Sequence, residues 1–244
     1  SSPSPCYFLH PLLPPCLTMA TSGKMHNCTY DTRRTPPGWI RVQPSPIPEH
    51  TGIYRLHLQA QETLRTALVR ESVKKPAGVD SDAWIAAQTV GVFQEVVTMV
   101  NLMEEFCTKK TCRHMCCGTL TYDWSDEKNP EPKKLPAIEY MRNLVAYAQR
   151  LLADYVPEDD IPFHGNFVPV MQSLHKRFFR VYAHAYLHHF QVIKDNGAEA
   201  HLNCCFKRFL FFVKEFELVY DADMVCLRDL IKKFEHRAAT STSL

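Results

Sequence analysis

Donor side chains with metal-binding or nucleophilic character crowd into two short stretches. "EFCTKKTCRHMCC", residues 105–117, carries Cys107, Cys112, Cys116 and Cys117, and "VYAHAYLHHF", residues 181–190, carries His184, His188 and His189. A structural disulfide, a nucleophilic thiol, a metal centre and plain core packing are the chemistries open to such residues. Two thiolates need two more soft or borderline ligands to close a tetrahedral zinc shell, and the histidine stretch can supply them. A closed S2N2 shell suits zinc better than iron or copper, and nothing nearby suggests redox chemistry. In a regular helix His184 and His188 lie about 40° apart around the axis and reach one ion together. His184 and His189 lie about 140° apart, which requires the helix to end or distort between them. Spacing alone therefore favours 184 with 188.

Other readings stand beside this one. A buried cysteine is commonly a small hydrophobe, and packing is the simpler role for the adjacent pairs Cys116–Cys117 and Cys204–Cys205. Cys107 as a nucleophile with a histidine base is a further alternative. No Gly-rich phosphate loop, nucleophile elbow or carboxylate dyad accompanies it, so a non-enzymatic role is expected.

A second cluster lies just ahead of the histidines. In "NFVPVMQSLHKRFFRVYAHAYLHHF", Phe167, Val170, Met171, Leu174, Phe178, Val181, Tyr182 and Ala185 follow helical spacing and define a core stripe. Opposite them Lys176, Arg177 and Arg180 fall within about 100° of arc. No acidic residue shares those helix turns, so neighbours must supply carboxylates or a bound dianion must quiet the repulsion. Arginine forks match phosphate oxygens bidentately, which makes this face a candidate phosphopeptide site.

The elements that must position these groups read as helices. Apolar periodicity predicts them over 53–70, 81–106, 136–155, 165–190, 197–214 and 221–236. Asp80 or Ser81 would cap the second, and Pro136 would sit in the first turn of the third. Between 107 and 135 the helical signal fails; alternation around Leu120, Tyr122 and Trp124, then Asn129–Pro130, predicts a small hairpin or loop. The expected fold is all-α, with one irregular cysteine-bearing excursion.

The chain has 244 residues, 45% hydrophobic, enough for one sizeable core. Lys+Arg number 28 against 26 Asp+Glu, a net charge of +2. That balance argues against a general nucleic-acid or anionic-membrane binder. No uninterrupted apolar run approaches the roughly 20 residues of a membrane span, and the Pro-interrupted start lacks a signal-peptide pattern. Residues 1–46 are expected to be a disordered extension, 47–236 the folded domain and 237–244 a disordered tail.

"IPEHTGIYRLHLQAQETL", "WIAAQTVGVF", "EFCTKKTC", "RFFRVYAHAYLHHF" and "AEAHLNCCFKRFLFFVKEF", in that order, resemble the Mob family (Mps-one-binder/phocein proteins), closest to its Mob1-like branch. The resemblance implies a four-helix bundle core with extra helices and a zinc-tethered loop. It also implies one structural zinc held by Cys107, Cys112, His184 and His189, against the spacing preference for His188. By the same resemblance Lys176, Arg177 and Arg180 would receive a phosphothreonine segment of an upstream Ste20/Hippo-like kinase. Asp80, Asp82 and Trp84 would contact the basic N-terminal region of an Ndr/Lats-type AGC kinase. Val79, Ala83 and Gly91 stand where the family pattern is acidic, which weakens steering of a basic helix. The implied role is a non-catalytic co-activator in mitosis, cytokinesis or growth signalling, in the cytoplasm and also the nucleus or spindle pole/centrosome. The alternative is a phosphopeptide-binding scaffold without kinase activation, as in striatin–phosphatase-type assemblies.

Overall fold

Helix starts and stops follow from a few local residues. The computed structural model describes residues 16–19, 25–28, 51–54, 69–157 and 161–241. Helix α1 is the short Val69–Ser72. Asp80 then accepts a hydrogen bond from the amide of Ala83 and caps α2, Ser81–Met103. Helix α3 is Ala137–Tyr155, with Pro136 at its start, and α4 is Phe167–His188. A short α5, Phe190–Asp195, leads to α6, Glu199–Glu215. A 3-10 turn, Val225–Leu227, precedes α7, Arg228–Ser241.

Two glycine-type turns separate the later elements. Gly197 adopts φ +73°, its amide donating to Lys194 and the amide of Ala198 to Ile193, a Schellman ending for α5. Glu217 takes the same left-handed position after α6 at φ +52°, with Leu218 donating to Val213.

Helices α2, α3, α4 and α6 pack against one another as a four-helix core, as the resemblance implied. Helix α2 is buried nearly all round, from Trp84 to Met103, as a central helix must be. By length and composition it is apolar enough to cross a bilayer, which the sequence reading overlooked, but most of it is buried inside the bundle. Its buried Glu95 pairs with Arg208 of α6 at 2.6 Å, and Gln88 accepts from the same guanidinium at 2.9 Å. Aromatic side chains fill the α4–α6 interface: Phe178, Phe179 and Tyr182 meet Phe206, Phe209 and Phe212 in the core.

The expected excursion is a loop with a two-residue hairpin. Strand β3, Cys116–Cys117, pairs antiparallel with β4, Leu120–Thr121, when strands are numbered after an earlier pair, β1, Cys16–Met19, and β2, Met25–Cys28. That earlier pair falls inside the stretch 1–46, whose other residues lie outside the described ones, as does most of the helix expected over 53–70. Helix α7 runs to Ser241, past the boundary drawn at 236.

Candidate metal centre and basic face

The Cys-x4-Cys loop grows out of the end of α2. The Cys107 amide donates to Met103 at 2.8 Å, so Cys107 completes the last turn. Thr108 and Thr111 then fold the loop: the Thr108 amide donates to the Thr111 hydroxyl at 2.8 Å, and that hydroxyl donates to the Phe106 carbonyl at 2.9 Å. The Cys112 amide donates to Thr108, and the Cys112 carbonyl accepts from Ala137 at the start of α3. Both thiols are thereby aimed at the end of α4.

That end supplies the missing partners. Cys107 Sγ lies 3.5 Å from His184 Nε2, and Cys112 Sγ lies 3.3 Å from His189 Nε2. The four donor atoms all lie within 4.8 Å of one another, a group that could hold a metal ion. Cys107, His184 and His189 are buried and Cys112 is half-buried. His184 Nδ1 is 2.7 Å from the carbonyl of Cys116; an N–H there fixes the tautomer and leaves Nε2 free to ligate.

His189, not the His188 favoured by spacing, joins this group, and the reason is backbone geometry. Helix α4 stops at His188, and His189 sits between α4 and α5 with φ −131° and ψ 6°. The regular-helix angle no longer applies there, so its ring swings round to Cys112. His188 turns away: its Nε2 accepts from the Gly118 amide at 3.3 Å.

Burial sets the protonation states. Desolvation, with smaller help from the neighbouring histidines, pushes His184 down to about 4. Desolvation followed by the His188 charge does the same to His189, to about 4. Both rings are therefore neutral near pH 7, the form that binds a metal. Desolvation and the adjacent Cys112 push the Cys107 thiol well up, so without an ion to stabilise the thiolate it keeps its proton.

The three cations on α4 are anchored unequally. Lys176 pairs with Asp223 at 3.0 Å, a carboxylate brought from the loop before α7. It also stands 5.8 Å over the Tyr220 ring. The arginines find different neighbours. Arg177 donates to the Ser125 carbonyl at 2.9 Å and lies over the rings of Trp124 and Tyr147, at 4.9 and 5.1 Å. Arg180 donates to the Tyr140 hydroxyl at 2.7 Å and lies 4.4 Å over Tyr122. Among the described residues neither arginine is within ion-pair reach of a carboxylate. Stacking on ring faces orients a guanidinium without neutralising it. The sequence reading missed this aromatic lining; alternation around Tyr122 and Trp124 was its one signal.

The third expected site is rearranged. Trp84 is 1% exposed, its indole N–H donating to the Val73 carbonyl at 2.9 Å. The segment before α2 folds back over the ring, so Trp84 is a core anchor and offers no contact face. Asp80 is exposed, yet one carboxylate oxygen is committed to the cap. Asp82 is partly exposed, its carboxyl pushed up by desolvation and then by Asp80.

Comparison with known proteins adds an independent line. A model described as the Mob1/phocein family matches residues 61–227. The chain is 40% identical over 181 residues to "MOB kinase activator-like 1 homolog B" of Dictyostelium discoideum, covering 72% of this chain and 84% of that protein. It is 39% identical to "MOB kinase activator-like 1A" of Medicago sativa subsp. falcata over 180 residues, 72% and 83% of the two chains. With "MOB kinase activator 3C" of Bos taurus it shares 35% identity over 189 residues, 75% of this chain and 88% of that one.

Proposed function

The chain belongs to the Mob1/phocein family, and on that premise we propose that it is a non-catalytic, zinc-braced adaptor that co-activates a protein kinase. The relatives' names support a kinase-activating role in general. The finer reading is docking on the N-terminal region of an Ndr/Lats-type AGC kinase, gated by a phosphothreonine segment of a Ste20/Hippo-like kinase. Its cellular setting is the cytoplasm, with the nucleus and spindle pole/centrosome as further sites, in mitosis, cytokinesis or growth control.

The donor set fits zinc. Zinc–sulfur bonds of about 2.3 Å and zinc–nitrogen bonds of about 2.0–2.1 Å at tetrahedral angles set sulfur and nitrogen about 3.6 Å apart. The observed pairs stand at 3.5 and 3.3 Å. Cys107, Cys112, His184 and His189 would hold the ion, which when bound cross-links the loop after α2 to the end of α4. Four protein ligands leave no open position for a reacting water, which supports a structural role.

The observation that carries the adaptor reading is the pair Arg177 and Arg180, oriented by Trp124, Tyr147, Tyr140 and Tyr122 without a carboxylate partner among the described residues. A phosphate dianion meets two forks already aimed, with the Lys176 charge alongside; an unmodified hydroxyl offers nothing to neutralise them. Co-activation then requires contacts that favour the active kinase state, since equal affinity for both states shifts nothing. The test is binding of a phosphothreonine peptide beside its unphosphorylated twin, at several salt concentrations. Phosphate-dependent, salt-sensitive binding is expected; equal binding of the two peptides would reject the site.

One observation favours the second reading, a phosphopeptide scaffold in a striatin–phosphatase-type assembly. With Trp84 buried and Asp80 engaged in capping, the start of α2 offers a basic kinase helix little beyond Asp82. Capture of the basic N-terminal segments of Ndr-type kinases would support co-activation, and their failure to bind while phosphopeptide binding persists would select the scaffold.

A further inference from the structure

Cys116 and His188 are left over by the four-ligand group, yet they face each other. Cys116 Sγ lies 3.4 Å from His188 Nε2. With His184 they form a second set of donor atoms all within 4.8 Å of one another. This set is open where the first is closed: Cys116 is half-buried and His188 is exposed, whereas Cys107 and His184 are fully buried. His184 belongs to both sets. Its Nδ1–H is engaged by the Cys116 carbonyl, so Nε2 is the nitrogen left to ligate, and one nitrogen serves one ion. The two sets are therefore alternative stations, joined by a common ligand.

We propose that Cys116 and His188 form an open docking site for zinc, through which the buried centre is loaded and exchanged. This inference rests on the zinc reading above. An arriving ion bonds to the Cys116 sulfur, whose proton leaves to bulk water, and to the neutral His188 ring, which gives up the Gly118 amide. With the buried set vacant, His184 Nε2 becomes the ion's third ligand. The ion keeps that bond while Cys107 and Cys112, whose protons leave to water, and His189 replace Cys116, which takes a proton back, and His188. In exchange the resident ion first leaves by the same path in reverse, and the newcomer follows. Three protein ligands leave a position for water, the coordination that permits ligand exchange, while the closed four-ligand set does not. The geometry also gives the adjacent His188 and His189 separate tasks. Turned to opposite thiols by the break after α4, one receives the ion and the other retains it.

The experiment uses the loaded protein, so no metal-free state needs to fold. Protein carrying natural zinc is incubated under reducing conditions with excess isotopically enriched zinc, small molecules are removed, and the isotope ratio is followed in time. Cys116→Ser, His188→Gln and the double variant are compared with wild type, with circular dichroism to verify the fold. The double variant is expected to retain about one zinc per chain yet exchange it about tenfold more slowly, the size of effect that outer partners of metal ligands exert. Exchange at the wild-type rate in the folded double variant overturns the proposal. Two zinc ions held at once by wild type overturns the shared-ligand step. A wild-type protein that holds no zinc removes the metal centre itself, a failure distinct from the other two.

Discussion

Helix α4 carries two polar groupings, and they are held in opposite ways. At its end, His184 and His189 are desolvated and face two thiols at close to bonding-shell distance. Along its middle, Arg177 and Arg180 lean on three aromatic rings and two single hydrogen bonds while remaining partly exposed. The first arrangement closes every donor inward and leaves nothing for a partner. The second spends its contacts on orientation and leaves the charge available. On the proposed function a cross-link and a recognition face share one helix, and the cross-link would hold the recognition face still.

The sharpest way to break this comparison is to remove the cross-link. Cys107→Ser with Cys112→Ser should abolish metal binding and cost on the order of 5 kcal/mol or more, because the free energy of binding a structural zinc is also folding free energy. Metal analysis and thermal unfolding check both parts. If the double variant melts like wild type, the end of α4 needs no ion and the contrast disappears.

The next perturbation acts on the other half. Arg177→Ala with Arg180→Ala should leave metal content unchanged and cost only about 1–3 kcal/mol of stability through the lost ring and hydroxyl contacts, while lowering phosphopeptide affinity about a hundredfold or more, two charge-assisted contacts at about 1.5–3 kcal/mol each. Calorimetric titration beside a melting curve reads both. A large loss of stability with intact binding would make the arginines structural and reverse their assignment.

How much of this contrast was legible in the sequence differs between its halves. The four long helices were, because apolar spacing on α3, α4 and α6 matches a helical stripe whatever packs on it, and α2 is a long apolar stretch entered through a cap. Cys107, Cys112 and His184 were also legible as donor types. The choice between His188 and His189 was not available from spacing, because it depends on where α4 breaks, and the resemblance supplied it. For Lys176, Arg177 and Arg180 the sequence left open carboxylates from neighbours or a bound dianion; for Lys176 the answer is Asp223, which arrives from 47 positions away in sequence, beyond any helix-turn rule. Trp84 was a docking residue only by the resemblance; the fold-back that puts Val73 over it is tertiary. Local pattern reports periodicity and chemistry, whereas exposure is decided by chain segments that return from a distance.

A third measurement sharpens the comparison by isolating a histidine of α4 that belongs to neither grouping. His175 is fully buried beside Phe178, Phe209 and Phe212, with Nδ1 donating to the Met171 carbonyl at 2.7 Å. Desolvation pushes it down to about 4, against an ordinary value of 6.5. The folded state thus refuses a proton that the unfolded chain accepts. Stability from this group is fully present above pH 6.5 and is lost as pH falls from there toward 4. Between pH 7 and pH 5 it amounts to about 2 kcal/mol. His175→Gln should flatten the acid limb of a stability–pH curve by that amount without altering metal content. An unchanged limb would assign acid sensitivity to the metal centre, where protons compete with the ion for His184 and His189.

The smallest expected effect lies outside both groupings and calibrates them. Glu217 occupies a left-handed backbone position, φ +52°, that glycine adopts without a Cβ penalty. Its side chain is exposed, and its negative charge stands just past the C-terminus of α6, where the helix dipole disfavours an anion. Its carbonyl still accepts from Gln172 of α4 at 3.0 Å, a bond any residue at 217 retains. Glu217→Gly relieves steric and charge costs of about 1–2 kcal/mol but adds freedom to the unfolded chain, which returns about half of that. A gain of about 0.5–1 kcal/mol is expected in denaturant unfolding, with metal content and phosphopeptide affinity unchanged. Glu217→Ala separates the two contributions: it removes the charge but keeps the Cβ, so it should recover only the smaller, dipole share. If Glu217→Gly instead weakens phosphopeptide binding, the turn after α6 reaches the basic face through Gln172, and α4 is positioned from that side as well as from its Cys/His end.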